Sequence, residues 1–332
     1  MERVDGYVHQ QGDHCGAAAL RNVSEHYGWG DSEGACFGIG GGPAFVLYDH
    51  PDQPWVTFRT SPSWLERAFF ERLDIPHLHR AGDDIETAWA DVAGFVDEND
   101  PVIVFLDPEP LEYLEGPHFP PHTAVVVGYD DEHVVVSDAA VMNEREVPRA
   151  AFEAAWHSDR IFDLECEYLA VTRPDRTRNE TDAVAAGLRQ AATYALEPTQ
   201  IKRDARGPGE EGVPALRSFA DYLGQWADLP DPARPVEAAH HAIEGDGEGA
   251  AGRALYAEGL EELGQRTNLD HAIAGQMRDV ASQWEQVGAR LGEIADADDP
   301  HPGAFEEVSA LVSDVADREE TIFEDLRDQL GG

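Results

Sequence analysis

The chain has 332 residues, 66 of them acidic and 24 basic, for a formal net charge of -42, and 42% of it is hydrophobic. That apolar content is enough to bury a core and excludes a disordered polyanion. With no basic patch to neutralise phosphates, nucleic acid is excluded as a partner, and no run of about 18 apolar residues offers a membrane span. The acid is spread along the whole chain and Lys202 is the only lysine. This points to a cytoplasmic protein of a salt-in halophile, whose surface needs molar salt to screen its self-repulsion. The other reading is an acidic protein built to hold a basic partner. Met1 leads straight into polar sequence, with no apolar leader. Cys15, Cys36 and Cys166 are an odd number without metal-ligand spacing, so neither a disulfide scaffold nor a metal site is expected.

In chain order, the first informative stretch is Gly12 to Asn22. Cys15 to Tyr27 reads as a helix stopped by Gly28, with Leu20, Val23 and Tyr27 at helical spacing. The free N–H groups and dipole of a helix N-terminus favour an anion, so a thiol there ionises more readily, and the thiolate is the nucleophile. The plainer reading is a small, buried, apolar cysteine. If Cys15 reacts, its backbone N–H is one oxyanion donor, and the second is Gln10, Gln11 or His9. Glu33 either serves the site or caps its own loop. Gly38 to Gly42 reads as a flexible loop near the thiol, where Gly40 and Gly41 allow close backbone approach to substrate. Pro43 and the missing Lys-Ser/Thr rule out a phosphate loop. Gln10, Gln11, His14, Glu33, Gly40 and Gly41 are thus the candidates around substrate and oxyanion.

Strand-like runs follow at Ala44 to Tyr48 and Trp55 to Thr60, helices at Ser63 to Leu73 and Asp84 to Asp97, and a short buried strand at Val102 to Leu106. Pro121 to Tyr129 and His133 to Asp138 are valine-rich runs around the Asp130-Asp131 turn, a hairpin signal. A short turn pairs residues near 122 with residues near 139, which makes His122 and Asp138 neighbours. A carboxylate beside an imidazole fixes its tautomer and supports its protonated form, the third-member role in a Cys-His-Asp arrangement. The plain alternative is a surface histidine and a turn aspartate. Cys15, His122 and Asp138 together are the candidate catalytic residues. A helix from Arg149 to His157 and a strand from Glu167 to Thr172 that closes the sheet complete an α+β domain over residues 1–174.

Arg173 to Glu180 is polar, contains Pro174 and has no periodicity, which marks a boundary. Residues 181–332 read as an all-α helical domain. Its helices reach to Leu196, from near Pro214 to Trp226, and over Arg253 to Gln265, Asn268 to Ala295 and Ala304 to Leu330. The last carries Phe305, Val308, Leu311, Val312, Val315, Ile322, Phe323 and Leu326 at close to a 3.6 period.

A cysteine on an early helix followed by His and Asp on later paired strands is the order of papain-like cysteine enzymes. His14-Cys15-Gly16, Leu20-Arg21-Asn22, Ser32-Glu33 and Phe37 to Gly42 together resemble the N-terminal domain of the butirosin-biosynthesis protein H family. The His122 to Asp130 hairpin with Asp138 is similar to that family too, and to bacteriocin-processing peptidases. Leu216 to Leu223 with Trp226, Gly245 to Gly249 with Arg253 and Tyr256, Trp284 and Glu320 resemble the helical domain that follows it. The resemblance implies a papain-like fold and an acyltransferase. Such an enzyme takes its acyl group from a phosphopantetheine thioester on an acyl carrier protein and passes it to a small-molecule or peptide amine, without a cofactor of its own. The family's aminoglycoside acceptor is not carried over to this chain. The alternatives are a cysteine peptidase or amidohydrolase on the same three residues, with water as acceptor, and a non-enzymatic binding module.

Overall fold

In the computed structural model the chain opens with a two-residue strand, β1 (Glu2–Arg3), and then helix α1 (Cys15–His26). The helix starts where it does because His14 is extended, with φ -118° and ψ 116°, and its ring accepts the N–H of Ala17. It stops at Gly28, which takes φ 72°, the left-handed conformation that ends helices. The structure describes residues 1–48, 55–58, 63–114, 121–160, 163–176, 180–197, 209–244, 250–297 and 300–331. They group into two units, Met1–Cys36 with Leu65–Asn179, and Phe37–Trp64 with Glu180–Gly332. Residues 37–64, which the sequence reading left inside 1–174, thus group with the second unit.

The remaining elements of the first unit follow in order, with those of the Phe37–Trp64 segment interleaved. They are α2 (Glu33–Gly40), β2 (Val46–Tyr48), β3 (Trp55–Thr57), α3 (Trp64–Leu73), β4 (His77–Arg80), α4 (Ile85–Asp97), β5 (Val102–Leu106), β6 (His122–Tyr129) and β7 (His133–Ser137). Then come β8 (Arg145–Pro148), α5 (Arg149–Trp156), β9 (His157–Ser158), β10 (Leu164–Glu165) and β11 (Tyr168–Val171). The sheet runs β4-β11-β5-β6-β7-β8, antiparallel throughout, with β1 added on β6. Val102, Val104, Leu106, Ala124 and Val126 share one core with Ala88, Trp89, Val92 and Val96 of α4 and with Phe152, Ala155 and Trp156 of α5. The alternate residues Ile103, Phe105 and Val125 are buried as well, as the two-residue period of a strand covered on both faces requires. Helix α1 packs against β6.

Two sequence expectations change here. Gly38 to Gly40 are the last turn of α2 and not a flexible loop; Gly38 to Gly42 are all buried. Glycine clusters usually break helices, but here the backbone is packed too closely to be a loop: a Cβ on Gly38 would press on Leu263. The strand near residues 168–171 does not close the sheet. It lies between β4 and β5, because β4 and β8, with sequences His-Leu-His-Arg and Arg-Glu-Val-Pro, carry too little apolar pattern to be read as strands yet form the two ends.

The second unit adds α6 (Glu180–Leu196), β12 (Glu210–Glu211), α7 (Gly212–Trp226), α8 (Ala233–Glu244), α9 (Arg253–Thr267), α10 (Ala272–Ala295) and α11 (Pro302–Gln329). It is helical, as expected, with one addition: β12, β2 and β3 form a small antiparallel sheet. Helix α11 packs on α7, α10 and α6. Helix α8 escapes a sequence reading because Pro232 and Pro235 suggest a break. Pro235 is the helix's third residue, where no intrahelical N–H is needed. At its centre Arg253 and Glu319 are buried, their side chains paired at 2.8 Å, with Trp284 Nε1 donating to Glu319 at 3.0 Å.

Candidate active site

Register brings the hairpin residues together. Val125 faces Ser137 and a bulge between Val126 and Gly128 shifts the pairing beyond it. Continuing that register by one residue sets Asp138 opposite Ala124, so His122 is its diagonal neighbour on the same face. His122 Nε2 lies 2.8 Å from Asp138 Oδ2. Both side chains are buried. The Cys15 side chain is the ring's other hydrogen-bond partner, which leaves Nδ1 for the sulfur. Cys15 is partly exposed, at the first residue of α1, while Cys36 and Cys166 are buried.

The electrostatics follow from this packing. Burial by itself lowers the His122 pKa, but the Asp138 charge, the hydrogen bond that the ring donates to it and the Cys15 side chain outweigh burial and raise it to about 10. Burial likewise opposes ionisation of Asp138, and His122 overcomes it, holding the carboxyl below its ordinary value. The pair is therefore an imidazolium and a carboxylate at neutral pH. Cys166, by contrast, is pushed up to about 11 by burial and by acidic neighbours including Asp84 and Asp83, so it is an unreactive thiol.

Tyr113 is a site residue that the sequence did not announce. Its hydroxyl donates to Asp138 Oδ2 at 2.7 Å, and the N–H of Ala140 donates to Oδ1 at 2.9 Å. Asp138 thus has three partners, His122 included, that favour its charged form. Nothing in the spacing of Leu111-Glu112-Tyr113-Leu114 signals this, since Tyr113 reaches the carboxylate only through the fold.

The segment before Cys15 is held from both sides. The Gly12 N–H donates to Ala139 O at 3.1 Å, and the His9 ring sits between Ser137 Oγ, at 2.8 Å, and Val141 O, at 2.9 Å. His9 is thereby committed to the segment that carries Asp138. Glu33 is buried and accepts the N–H groups of Asp13 and His14, both at 2.8 Å, while Arg21 reaches its other oxygen at 2.8 Å. These bonds go to the loop leading into Cys15 and not to a loop of its own. Burial pushes the Glu33 carboxyl up, against the opposing pull of the His14 N–H and Arg21. A Cβ on Gly12 would collide with Glu33 and Ala18, so only glycine lets this loop lie so close to α1. Arg21 also takes the carbonyls of Gln10 and Gln11 at 2.7 and 3.0 Å. The side chains of Gln10 and Gln11 are exposed and hydrogen-bond to no described residue. His14 serves as the N-cap of α1. Gly40 and Gly41 fall in the second unit, Gly41 at φ 110°.

A cleft of about 430 Å³ opens beside this arrangement, lined among others by Gln11, Tyr113, Leu114, Val141, Met142 and Arg145. It runs from the segment before Cys15 to the residues around Asp138. Among the described residues no group of three His, Cys, Asp or Glu side chains could hold a metal ion. Among the described residues no helix is long and apolar enough to cross a membrane.

Comparison with known proteins agrees with the sequence resemblance. Residues 14–139 match the family model described as butirosin biosynthesis protein H, N-terminal, and residues 151–326 match a domain of unknown function, DUF4872. The chain belongs to the family that joins these two modules. It carries a mixed α and β first module followed by a helical one. No curated protein matches it. Among solved structures, a C39-like peptidase from Bacillus anthracis is similar at 14% identity over 52% of this chain and 96% of that one, with a TM-score of 0.38. That likeness is too loose to carry any residue's role.

Proposed function

We propose that the chain is an acyl-transfer enzyme with Cys15, His122 and Asp138 as its catalytic triad. The observation that carries the reading is the buried His122–Asp138 ion pair with the Cys15 sulfur on the same ring, at the N-terminus of α1. A thiolate beside an imidazolium is an activated nucleophile. The Cys15 sulfur attacks the carbonyl carbon of a thioester. The bond to the leaving thiol breaks as His122 gives that sulfur its proton, and acyl-Cys15 remains. An amine then attacks the acyl carbon, His122 takes the amine's proton, and the Cys15 thiolate departs, so that the ion pair is restored. Asp138 stays ionised and orients the ring throughout.

The oxyanion is met by the Cys15 N–H and by a second donor from the segment before it, Gln10 or Gln11, whose side chains are exposed. Transfer is preferred to hydrolysis because the family's namesake is a biosynthesis protein, which points to bond-making. An acyl carrier protein as donor and an amine as acceptor follow from the same likeness, and the chain's own chemistry requires no cofactor.

Intact-mass measurement after incubation with a simple acyl thioester tests this. The expected result is an added acyl mass on Cys15 that persists in water and discharges when an amine is supplied. Rapid turnover of amides or peptides in water, with no acyl-enzyme and no amine dependence, would replace transfer by hydrolysis. No acyl mass and no turnover under any condition would leave a binding module.

A further inference from the structure

Helix α3 sends a second carboxylate to the same site. Glu66, in its first turn, is 4% exposed. The Thr123 hydroxyl donates to Glu66 Oε1 at 3.0 Å. A Cβ on Gly16 would collide with that same Oε1. Gly16 is the residue after Cys15, and Thr123, itself buried, is the residue after His122. One carboxylate oxygen therefore lies against the immediate neighbours of the nucleophile and of the base. It reaches both only because residue 16 has no side chain and residue 123 has a hydroxyl.

We propose that Glu66 is the positioning residue that sets the Cys15–His122 contact: it is hydrogen-bonded to Thr123 at the start of β6 and packed against Gly16 at the start of α1. Apart from the Cys15–His122 contact itself, side-chain packing between helix and strand tolerates small slides. A hydrogen bond to a buried carboxylate does not, because a donor or acceptor left unpaired in the interior costs more than the bond contributes when made. The distance between sulfur and imidazole is thereby fixed from α3, an element that supplies neither of them.

This inference rests on the reading of Cys15 and His122 as nucleophile and base, and its test needs no substrate. The rate of Cys15 alkylation by iodoacetamide is measured against pH in the full chain at high salt. His122→Ala is the reference, because losing the imidazolium moves the profile toward that of a free thiol. Glu66→Ala and Thr123→Val are expected to move the profile upward by about one pH unit, roughly tenfold in rate at a fixed pH on the acid limb. Glu66→Gln keeps an acceptor for Thr123 and is expected to keep the parental profile. Val312→Ala, in the core of α11, controls for lost stability and should leave the profile in place. Thr123→Val preserves volume and carries the test if Glu66→Ala does not fold.

An unmoved profile in Glu66→Ala or Thr123→Val, with only the melting temperature lowered, would reduce Glu66 to a packing residue. A shift in Glu66→Gln equal to that of Glu66→Ala would show that its charge acts, and not the tie to Thr123, and would also overturn the proposal. If His122→Ala itself leaves the profile unmoved, the base assignment falls and this inference falls with it.

Discussion

Each unit of this chain holds an ion pair with both side chains almost wholly buried, His122–Asp138 in the first and Arg253–Glu319 in the second, and the two differ in whether the cation can give up its proton. In the second unit, Arg253 Nε and Nη2 reach the two oxygens of Glu319 at 2.8 and 3.0 Å, Nη1 takes the carbonyls of Ala44 and Ala251, and the Phe58 and Trp284 rings lie around the guanidinium. An arginine never gives up its proton in a protein. That pair is a permanent brace whose donors are spent on fixed partners. In the first unit, His122 meets Asp138 through Nε2 and keeps its other nitrogen for Cys15. A histidine can lose its proton, so this pair can hand one to a reacting group. The comparison teaches that burial of a charge pair does not by itself mark a site; a titratable member with a reactive neighbour does.

The largest expected effect falls on the histidine pair. Cys15→Ala and His122→Ala should abolish acylation. Asp138→Asn should slow it by up to about 10⁴-fold, the loss that follows when an orienting carboxylate becomes an amide. Acylation rates by mass spectrometry check this, and limiting iodoacetamide should label Cys15 before Cys36 or Cys166. Arg253 and Glu319 variants are expected to leave the alkylation profile of Cys15 in place.

The brace responds in stability. Glu319→Ala leaves an uncompensated guanidinium in the interior and should cost about 3–5 kcal/mol, read from denaturant midpoints. Asp138→Asn should cost less, because the His122 ring can become neutral. A larger loss for Asp138→Asn than for Glu319→Ala would erase the distinction between brace and site.

Alkali separates the two pairs by sign. His122 is raised from its ordinary 6.5 to about 10, so the stability it contributes is fully present below about pH 6.5 and is lost as pH rises through about 10. Asp138 is lowered, so its contribution is present above its ordinary value of 3.8 and is lost as pH falls through the lower folded one. The stability gap between parent and His122→Ala should therefore narrow toward pH 10. The gap for Glu319→Ala should hold across that range.

Salt acts less on the buried pairs than on the exposed part of the net charge of -42. Between molar and 0.1 M salt the Debye length grows from about 3 to about 10 Å. A loss of about 2 kcal/mol on that dilution would lower the melting temperature by about 4–8 °C, visible by circular dichroism. An unchanged melt would remove the halophile reading.

The smallest effect is expected at Tyr113. Tyr113→Phe removes one hydrogen bond to the Asp138 charge, a loss of about 1.5–3 kcal/mol to the ionised form. Acylation should slow by about tenfold or somewhat more, far short of Asp138→Asn. A loss as deep as that of Asp138→Asn would make Tyr113 part of the machinery and not a support.

The sequence alone determined the parts of this protein whose signal is local. The α1 start at Cys15, the stop at Gly28, the β5 bounds and the β6–β7 hairpin follow from caps, β-branched runs and turn residues within a few positions of each other. His122 and Asp138 were legible together because a tight turn makes register a matter of counting. What only the tertiary structure decided involves residues far apart. Tyr113 on Asp138, Glu66 between Gly16 and Thr123, and Glu33 beneath the loop before Cys15 meet across 19 to 57 residues, with no periodic pattern to announce them. The turn from Gly38 to Gly42 misled for the same reason. Glycine is read from sequence as freedom, but here the neighbours that remove that freedom, Leu263 beside Gly38 and Tyr256 against Gly42, come from more than 200 residues further along. A local pattern reports what the backbone is able to do, and long-range packing selects which of those options is the one of lowest free energy.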